Sequence, residues 1–179
     1  MAVVTLLTAD ELLKLPFDLR CELIDGVLIE LSPPGSLHAR VAGKIAVLFA
    51  QADSLGLGYV LGEMGFRLRR DPDTVRAPDV AFMRRDKVPG GVFPTGYWEG
   101  ALDIIVEVVS PYDTATEIQT KVREWVEAGA SLVLIAYPDT KVVEAVRSLT
   151  DRRRFEVGDT LDLSDLLPGF SISVAEIFD

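Results

Sequence analysis

The stretch 103-DIIVEVVSPYDTATEIQTKVREWVEAGASLVLIAYP-138 decides the fold. It opens with an apolar run broken by one charge, Glu107, which is typical of a buried central strand. Apolar residues at helical spacing follow, and Gly129 comes after the last of them, which predicts an amphipathic helix that ends there. A second buried strand, "SLVLIAYP", closes the stretch. A strand–helix–strand unit of this kind predicts a right-handed crossover and a parallel strand pair.

The flanking sequence adds antiparallel strands and further helices. Asp25-Gly26 lies between two apolar runs, the pattern of a tight hairpin. Residues 38–52 have helical spacing, and Thr8 with Glu11 forms a capping box for a short helix. Further strands are predicted at 59–61, 66–68 and 80–83, and "KVVEAVR" with "RRFEV" predicts a pair of edge strands. We therefore expect one α/β domain over residues 1–179, with a mixed central β-sheet flanked by helices.

Composition excludes several classes of protein. The chain has 179 residues and a net charge of -10, which argues against a generic nucleic-acid coat protein. We find no run of about 20 apolar residues that would span a membrane. Residues 1–17 lack the basic and long apolar parts of a signal peptide. The single cysteine, Cys21, excludes an internal disulfide framework and a zinc cluster. These absences favour a cytoplasmic location.

Basic residues are concentrated in one window, residues 67–87, which holds seven of them in an acidic chain. Arg67, Arg69, Arg84 and Arg85 are candidates for contacts with flanking phosphates. The charge pattern alone fits a solvent-exposed loop with polar strand edges as well as it fits a phosphate-binding surface.

Two carboxylates at strands form the candidate site. Asp79 precedes an apolar strand and Glu107 interrupts another, although an unpaired buried carboxylate costs several kcal/mol. If the strands are neighbours, both groups converge on one point and suit a hard cation such as Mg²⁺. Lys121 borders the apolar stripe of the following helix and could reach the same point. Glu22, in the first hairpin strand, is a possible fourth member.

A resemblance spans nearly the whole chain. "APDVAF" followed by "DIIVEVVSP" resembles the Pro-Asp … Glu-X-Lys signature of the restriction-endonuclease-like nucleases. The ordered set of motifs is similar to the Uma-type family within that PD-(D/E)XK superfamily: "CELIDGVLIELSPPGSLH", "RAPDVAFM", "DIIVEVVSPYDTATEIQTKVREWVEAGASLVLIAYPD" and "LLPGF". Each motif alone is weak, and the ordered set is strong.

The resemblance implies a restriction-endonuclease-like fold, a divalent Mg²⁺ or Mn²⁺ ion and phosphodiester hydrolysis, with DNA as the substrate. Carried over by position, Asp79 and Glu107 are metal ligands, and the Val108 carbonyl is a possible third. Val109 stands where the simplest signature has its lysine, and Lys121 matches the position of a lysine moved to the following helix. Glu22 matches the early acidic position of the superfamily.

Each candidate also has a structural interpretation. Asp79 could cap a turn or pair with Arg76, and Glu107 could pair with a core cation. Lys121 could lay its stem along the apolar stripe with its ammonium in water, and Glu22 could face solvent. His38, the sole histidine, is a candidate site or substrate-binding residue, although a histidine near a helix start more often caps or packs.

Two other functions remain open at this stage. The same fold could be a non-catalytic scaffold or interaction domain with a relic or structural ion site, and the acidic balance and displaced lysine favour that alternative. A hydrolase acting on a nucleotide or on RNA is the third. Cleavage of both strands of a duplex would suit a homodimer.

Overall fold

The computed structural model describes residues 6–15 and 20–179. Part of the stretch on which the signal-peptide prediction rests lies outside these ranges. The described residues form four α-helices: α1 (Ala9–Leu12), α2 (Ser36–Ser54), α3 (Ala115–Glu127) and α4 (Val174–Phe178). They form thirteen strands: β1 (Cys21–Ile24), β2 (Val27–Glu30), β3 (Gly58–Gly62), β4 (Phe66–Arg69), β5 (Thr74–Arg76), β6 (Val80–Arg84), β7 (Trp98–Glu99), β8 (Ile104–Val108), β9 (Leu132–Tyr137), β10 (Val142–Ser148), β11 (Asp151–Phe155), β12 (Thr160–Asp162) and β13 (Ser171–Ser173).

A six-stranded mixed sheet forms the centre of the molecule, in the order β11-β10-β9-β8-β6-β3. Strands β8 and β9 are parallel, with Ile104 opposite Leu132, and the other neighbouring strands are antiparallel. Helix α3 connects the parallel pair, as the opening stretch predicts. The thirteen-residue helix begins at a capping box formed by Thr114 and Glu117. The α/β fold class and the mixed sheet flanked by helices are confirmed.

The hairpin belongs to a second sheet rather than to the central one. Strands β1 and β2 turn at Asp25 and Gly26, both with positive φ, as predicted. Their sheet has the order β2-β1-β5-β4-β7. The sequence did not indicate this second sheet, because β1 pairs with β5, a three-residue strand too short to carry a recognisable pattern.

Both faces of the central sheet are covered by apolar residues. Helix α2, the C-terminal segment and one sheet face share a core with Phe49 and Phe82 in contact at 5.5 Å between ring centroids. On the other face α3 packs with the second sheet, and Phe66 meets Trp125 edge-on at 5.7 Å. The candidate site lies where this second core reaches the ends of β6 and β8.

The expectation that β10 and β11 are both edge strands was half wrong. Strand β11 is at the edge, but β10 pairs on both sides because its Val142, Val143 and Val146 are buried. None of the helices in the described ranges has both the length and the hydropathy of a bilayer-spanning segment.

Candidate active site

The register of β6 and β8 brings the two predicted carboxylates together. These strands are antiparallel neighbours with Val80 opposite Val106. Asp79 directly precedes Val80 and Glu107 directly follows Val106, so the two residues lie side by side across the strand pair. The sequence motif and the sheet geometry therefore place two carboxylates at one point.

One oxygen of Asp79 is held by two hydrogen-bond donors. Its Oδ2 accepts the backbone N–H of Val108 at 2.7 Å and lies 3.2 Å from Nε2 of His38. Its Oδ1 makes no hydrogen bond or ion pair within the described residues. Asp79 is therefore fixed in orientation with one oxygen left for a ligand. It does not pair with Arg76, the structural alternative for this residue.

Glu107 is buried and is held from helix α3. Its Oε1 accepts the indole N–H of Trp125 at 2.7 Å, and its Oε2 lies 3.5 Å from Nζ of Lys121. Lys121 and Trp125 are four residues apart, so both lie on the helix face over the sheet. The side chain of Lys121 remains about a third exposed, so its ammonium borders both the carboxylate and solvent.

The electrostatics of the site leave negative charge poorly balanced. The pKa of Glu107 is raised from 4.5 to about 7, chiefly by burial. Lys121 and the Trp125 hydrogen bond act to lower this pKa, and the charges of Asp79 and Glu22 act to raise it. Glu107 in turn raises the pKa of Lys121, which stays protonated. One ammonium at 3.5 Å does not offset burial together with two further carboxylates, and a cation would relieve this excess.

The raised pKa of Glu107 predicts a pH dependence of stability. Between pH 4.5 and about 7 the native state holds a proton that the unfolded state has released, so the free energy of unfolding falls as pH rises. The expected loss across this window is about 3 kcal/mol. Urea unfolding in EDTA should show this fall in the wild type, and Glu107→Gln should lack it. Parallel pH profiles for the two proteins would contradict the assignment.

Glu22 lies near the site but is already paired. It is buried in β1, and its Oε2 accepts from Arg76 at 2.5 Å while its Oε1 accepts the N–H of Ala77 at 3.3 Å. Arg76 also binds Glu124 of α3 at 2.7 Å. Glu22 therefore influences the site through its charge and joins β1 to α3 through Arg76. Sequence reasoning missed Glu124, whose only signal was its position one turn after Lys121.

The four arginines predicted to contact phosphates are all engaged by acids. Arg67 pairs with Glu99 at 2.7 Å, and Arg69 pairs with Asp25. Both arginines lie on β4 in the second sheet. A chain with more acids than bases tends to satisfy its arginines internally, which the local count of basic residues does not reveal.

Arg84 and Arg85 lie away from the carboxylates. Arg84 ends β6 and Arg85 follows it, so both lie at the opposite end of this five-residue strand from Asp79, about 16 Å away. Arg84 contacts buried Asp103 at 3.3 Å, and Arg85 lies over the ring of Tyr59 at 4.8 Å. The structure does not bring these residues to the candidate site.

His38 occupies the first turn of α2 and faces Asp79. Its hydrogen bond to Asp79 raises the pKa of the imidazole, against the opposing effect of burial. Its Nδ1 is buried without a hydrogen-bond partner in the described part of the chain. The structure therefore places His38 in contact with a candidate site residue.

The donor set fits a hard divalent cation. Within residues 6–15 and 20–179, no group of three or more His, Cys, Asp or Glu side chains forms a ready metal centre. Mg²⁺ does not need such a group, because it binds through one or two carboxylates and keeps several waters. The free Oδ1 of Asp79, the carboxylate of Glu107 and the uncompensated charge between them meet that requirement.

Comparisons with known proteins agree with this fold. A family model described as "Putative restriction endonuclease", Uma2, matches residues 9–175. No curated protein matches the chain. A solved structure titled "a putative nuclease belonging to DUF820", from Anabaena variabilis ATCC 29413, superposes with a TM-score of 0.81 at 19% identity, over 96% of this chain and 97% of that one. That likeness shows the fold, and the family match covers nearly the whole chain. The chain belongs to the Uma2 family.

Proposed function

We propose that this protein is a metal-dependent nuclease that hydrolyses phosphodiester bonds, with DNA as its substrate. The observation that carries the proposal is the convergence of Asp79, Glu107 and Lys121 at the adjoining ends of two strands and a helix. The family description, restriction endonuclease, supports the same class of reaction.

Asp79 and Glu107 would hold a Mg²⁺ or Mn²⁺ ion, with the Val108 carbonyl as a possible third ligand. A bound ion of this kind lowers the pKa of a coordinated water and offsets charge on the phosphate. Asp79 contributes its Oδ1, since Oδ2 is occupied by Val108 and His38. Glu107 contributes a carboxylate that Trp125 holds in place through Oε1.

Lys121 would act on the phosphate or on the attacking water. Its ammonium is protonated, partly exposed and beside Glu107. From that position it can orient the water or offset negative charge that develops on the phosphate. Glu22 would contribute charge and, through Arg76, the placement of α3.

His38 would orient Asp79 rather than contact the substrate. Hydrogen bonds to a metal-binding carboxylate are worth about 10–100-fold in metal affinity or activity. We expect His38→Ala to lower Mn²⁺ affinity and cleavage by that factor. His38→Gln, whose amide can still donate to Asp79, should retain most of both.

The control for His38 is the thermal midpoint, which identifies any variant that loses its fold. Equal losses of Mn²⁺ affinity in folded His38→Ala and His38→Gln would show that the donated hydrogen bond is not what matters. Unchanged affinity in both variants would remove His38 from the site.

One observation favours a non-catalytic scaffold as the second candidate. The arginines expected to contact DNA are internally paired, in a chain with a net charge of -10. A scaffold would retain the fold and the carboxylates without hydrolysis. A homodimer and a cytoplasmic location stay predictions under either function.

A cleavage assay separates the two candidates. The full chain is incubated with end-labelled single- and double-stranded DNA and RNA, with Mg²⁺, with Mn²⁺ or with EDTA. The proposal predicts DNA cleavage that requires the divalent ion and stops in EDTA. Cleavage of RNA alone would favour a hydrolase that acts on RNA instead of DNA. Intact substrates in every condition, from a folded protein that binds Mn²⁺, would favour the scaffold.

A further inference from the structure

Acidic residues are absent from one long stretch of this acidic chain. Residues 31–52 contain no Asp or Glu, whereas the next longest acid-free stretch spans only 87–98. Most of the first stretch forms helix α2, whose first turn carries no acid. This is where a polyanion can approach the molecule with least repulsion from the chain's own carboxylates.

Two cations lie on the exposed face of that helix. Arg40 and Lys44 are four residues apart, and both are exposed. Helical neighbours at this spacing lie on one face. Neither makes an ion pair among the described residues, in contrast to Arg67, Arg69, Arg84 and Arg85. Their charges are therefore free for an external partner.

This cationic face lies on the opposite side of α2 from the candidate active site, one helix diameter of about 10–12 Å away. His38, in the same helix, contacts Asp79 at 3.2 Å. Arg40 lies about 3 Å and Lys44 about 9 Å further along the helix axis, turned about 160° and about 120° around that axis from His38. A phosphate chain that leaves the site over the N-terminal end of α2 would meet both cations on the outer face of the helix.

We propose that the outer, Arg40–Lys44 face of α2 binds the phosphodiester backbone of the substrate where that backbone leaves the active site over the N-terminal end of the helix. The inference deepens the proposed nuclease function and rests on it. It replaces the four arginines singled out in the sequence with a different surface, which is selected by its unpaired charges, its freedom from acids and its position on the helix that carries His38. Contacts of this kind position the substrate and carry no base specificity.

The test is the salt dependence of binding by Asp79→Asn protein, which should bind without cutting. Affinity for a labelled oligonucleotide is measured in Ca²⁺ at several salt concentrations, with and without Arg40→Gln and Lys44→Gln. Each lost phosphate contact should reduce the slope of log affinity against log salt by about 0.9 on duplex or about 0.7 on single strands. The double variant should therefore bind more weakly and with a flatter slope.

A matched control removes the same charge elsewhere. Arg153 and Arg154 lie on the exposed edge strand β11, and their replacement by Gln also lowers the net charge by two. We expect this control to keep the wild-type slope. An equal fall of the slope in both double variants would overturn the inference, because only overall charge would then matter.

Other outcomes separate this inference from the proposed function. Cleavage by the wild type together with an unchanged slope in Arg40→Gln/Lys44→Gln would overturn the α2 surface and leave the nuclease intact. If the protein neither cleaved nor bound the oligonucleotide, both the α2 surface and the nuclease function would be overturned. Leu37 and Val47 are also exposed on α2, so binding to anionic lipid vesicles is measured as well. Vesicle binding that needs Arg40 and Lys44, with oligonucleotide binding unaffected, would overturn the choice of partner.

Discussion

Asp79→Asn should reduce DNA cleavage by at least about 10³-fold. A bound divalent ion supplies several kcal/mol of transition-state stabilisation, and each 1.36 kcal/mol is tenfold in rate. The variant removes the charge that would hold the ion and keeps an oxygen that can accept from Val108. The fold should therefore survive, and its free energy of unfolding should stay equal or rise, since less negative charge then faces Glu107.

The measurement is the cleavage rate with saturating Mn²⁺, with urea unfolding in parallel. Asp86→Asn is the matched control, because Asp86 follows the far end of β6 and is exposed. It should leave the cleavage rate unchanged. An Asp79→Asn protein that cuts at the wild-type rate would exclude Asp79 as a ligand. An Asp79→Asn protein that loses several kcal/mol of unfolding free energy would favour a structural role for Asp79.

Arg76→Met should have the largest effect on stability, a loss of about 3–5 kcal/mol. Arg76 is 5% exposed and joins Glu22, 2% exposed, to Glu124 of α3. Its removal leaves a buried carboxylate without its cation, and the remaining charge is more costly than the lost pair was favourable. Addition of Glu22→Gln to the same protein should restore part of the loss.

Urea unfolding of the single and double variants measures this effect. Arg147→Met is the control, since Arg147 pairs with Asp165 at 2.7 Å on the surface, where such a pair contributes about 1 kcal/mol or less. Similar losses for Arg76→Met and Arg147→Met would show that the buried network does not hold β1 to α3.

The placement of the two carboxylates could be predicted because it depends on local patterns. The apolar run around Glu107, the Pro-Asp step before β6 and the helix that follows β8 are each visible in consecutive residues. Adjacent antiparallel strands then bring Asp79 and Glu107 together. Helix periodicity similarly placed Lys121 on the face that covers the sheet.

The ionic pairing could not be predicted because it depends on contacts between distant segments. Arg76 and Glu22 come from different strands of the second sheet, and Glu124 comes from helix α3, which packs between that sheet and the central one. The arginines on β4 illustrate the same limit, since their partners are set by tertiary structure. The contact of His38 with Asp79 is also long-range, so the sequence left its role open between packing and function.

The most direct test of the account is Mn²⁺ titration calorimetry of the wild type beside Asp79→Asn and Glu107→Gln. The account predicts binding of about one ion per chain in the wild type, as expected for a site with one or two carboxylates, and loss of binding in both variants. The measurement needs no assumption about the substrate. Wild-type binding that persists unchanged in both folded variants would contradict the convergent carboxylate site.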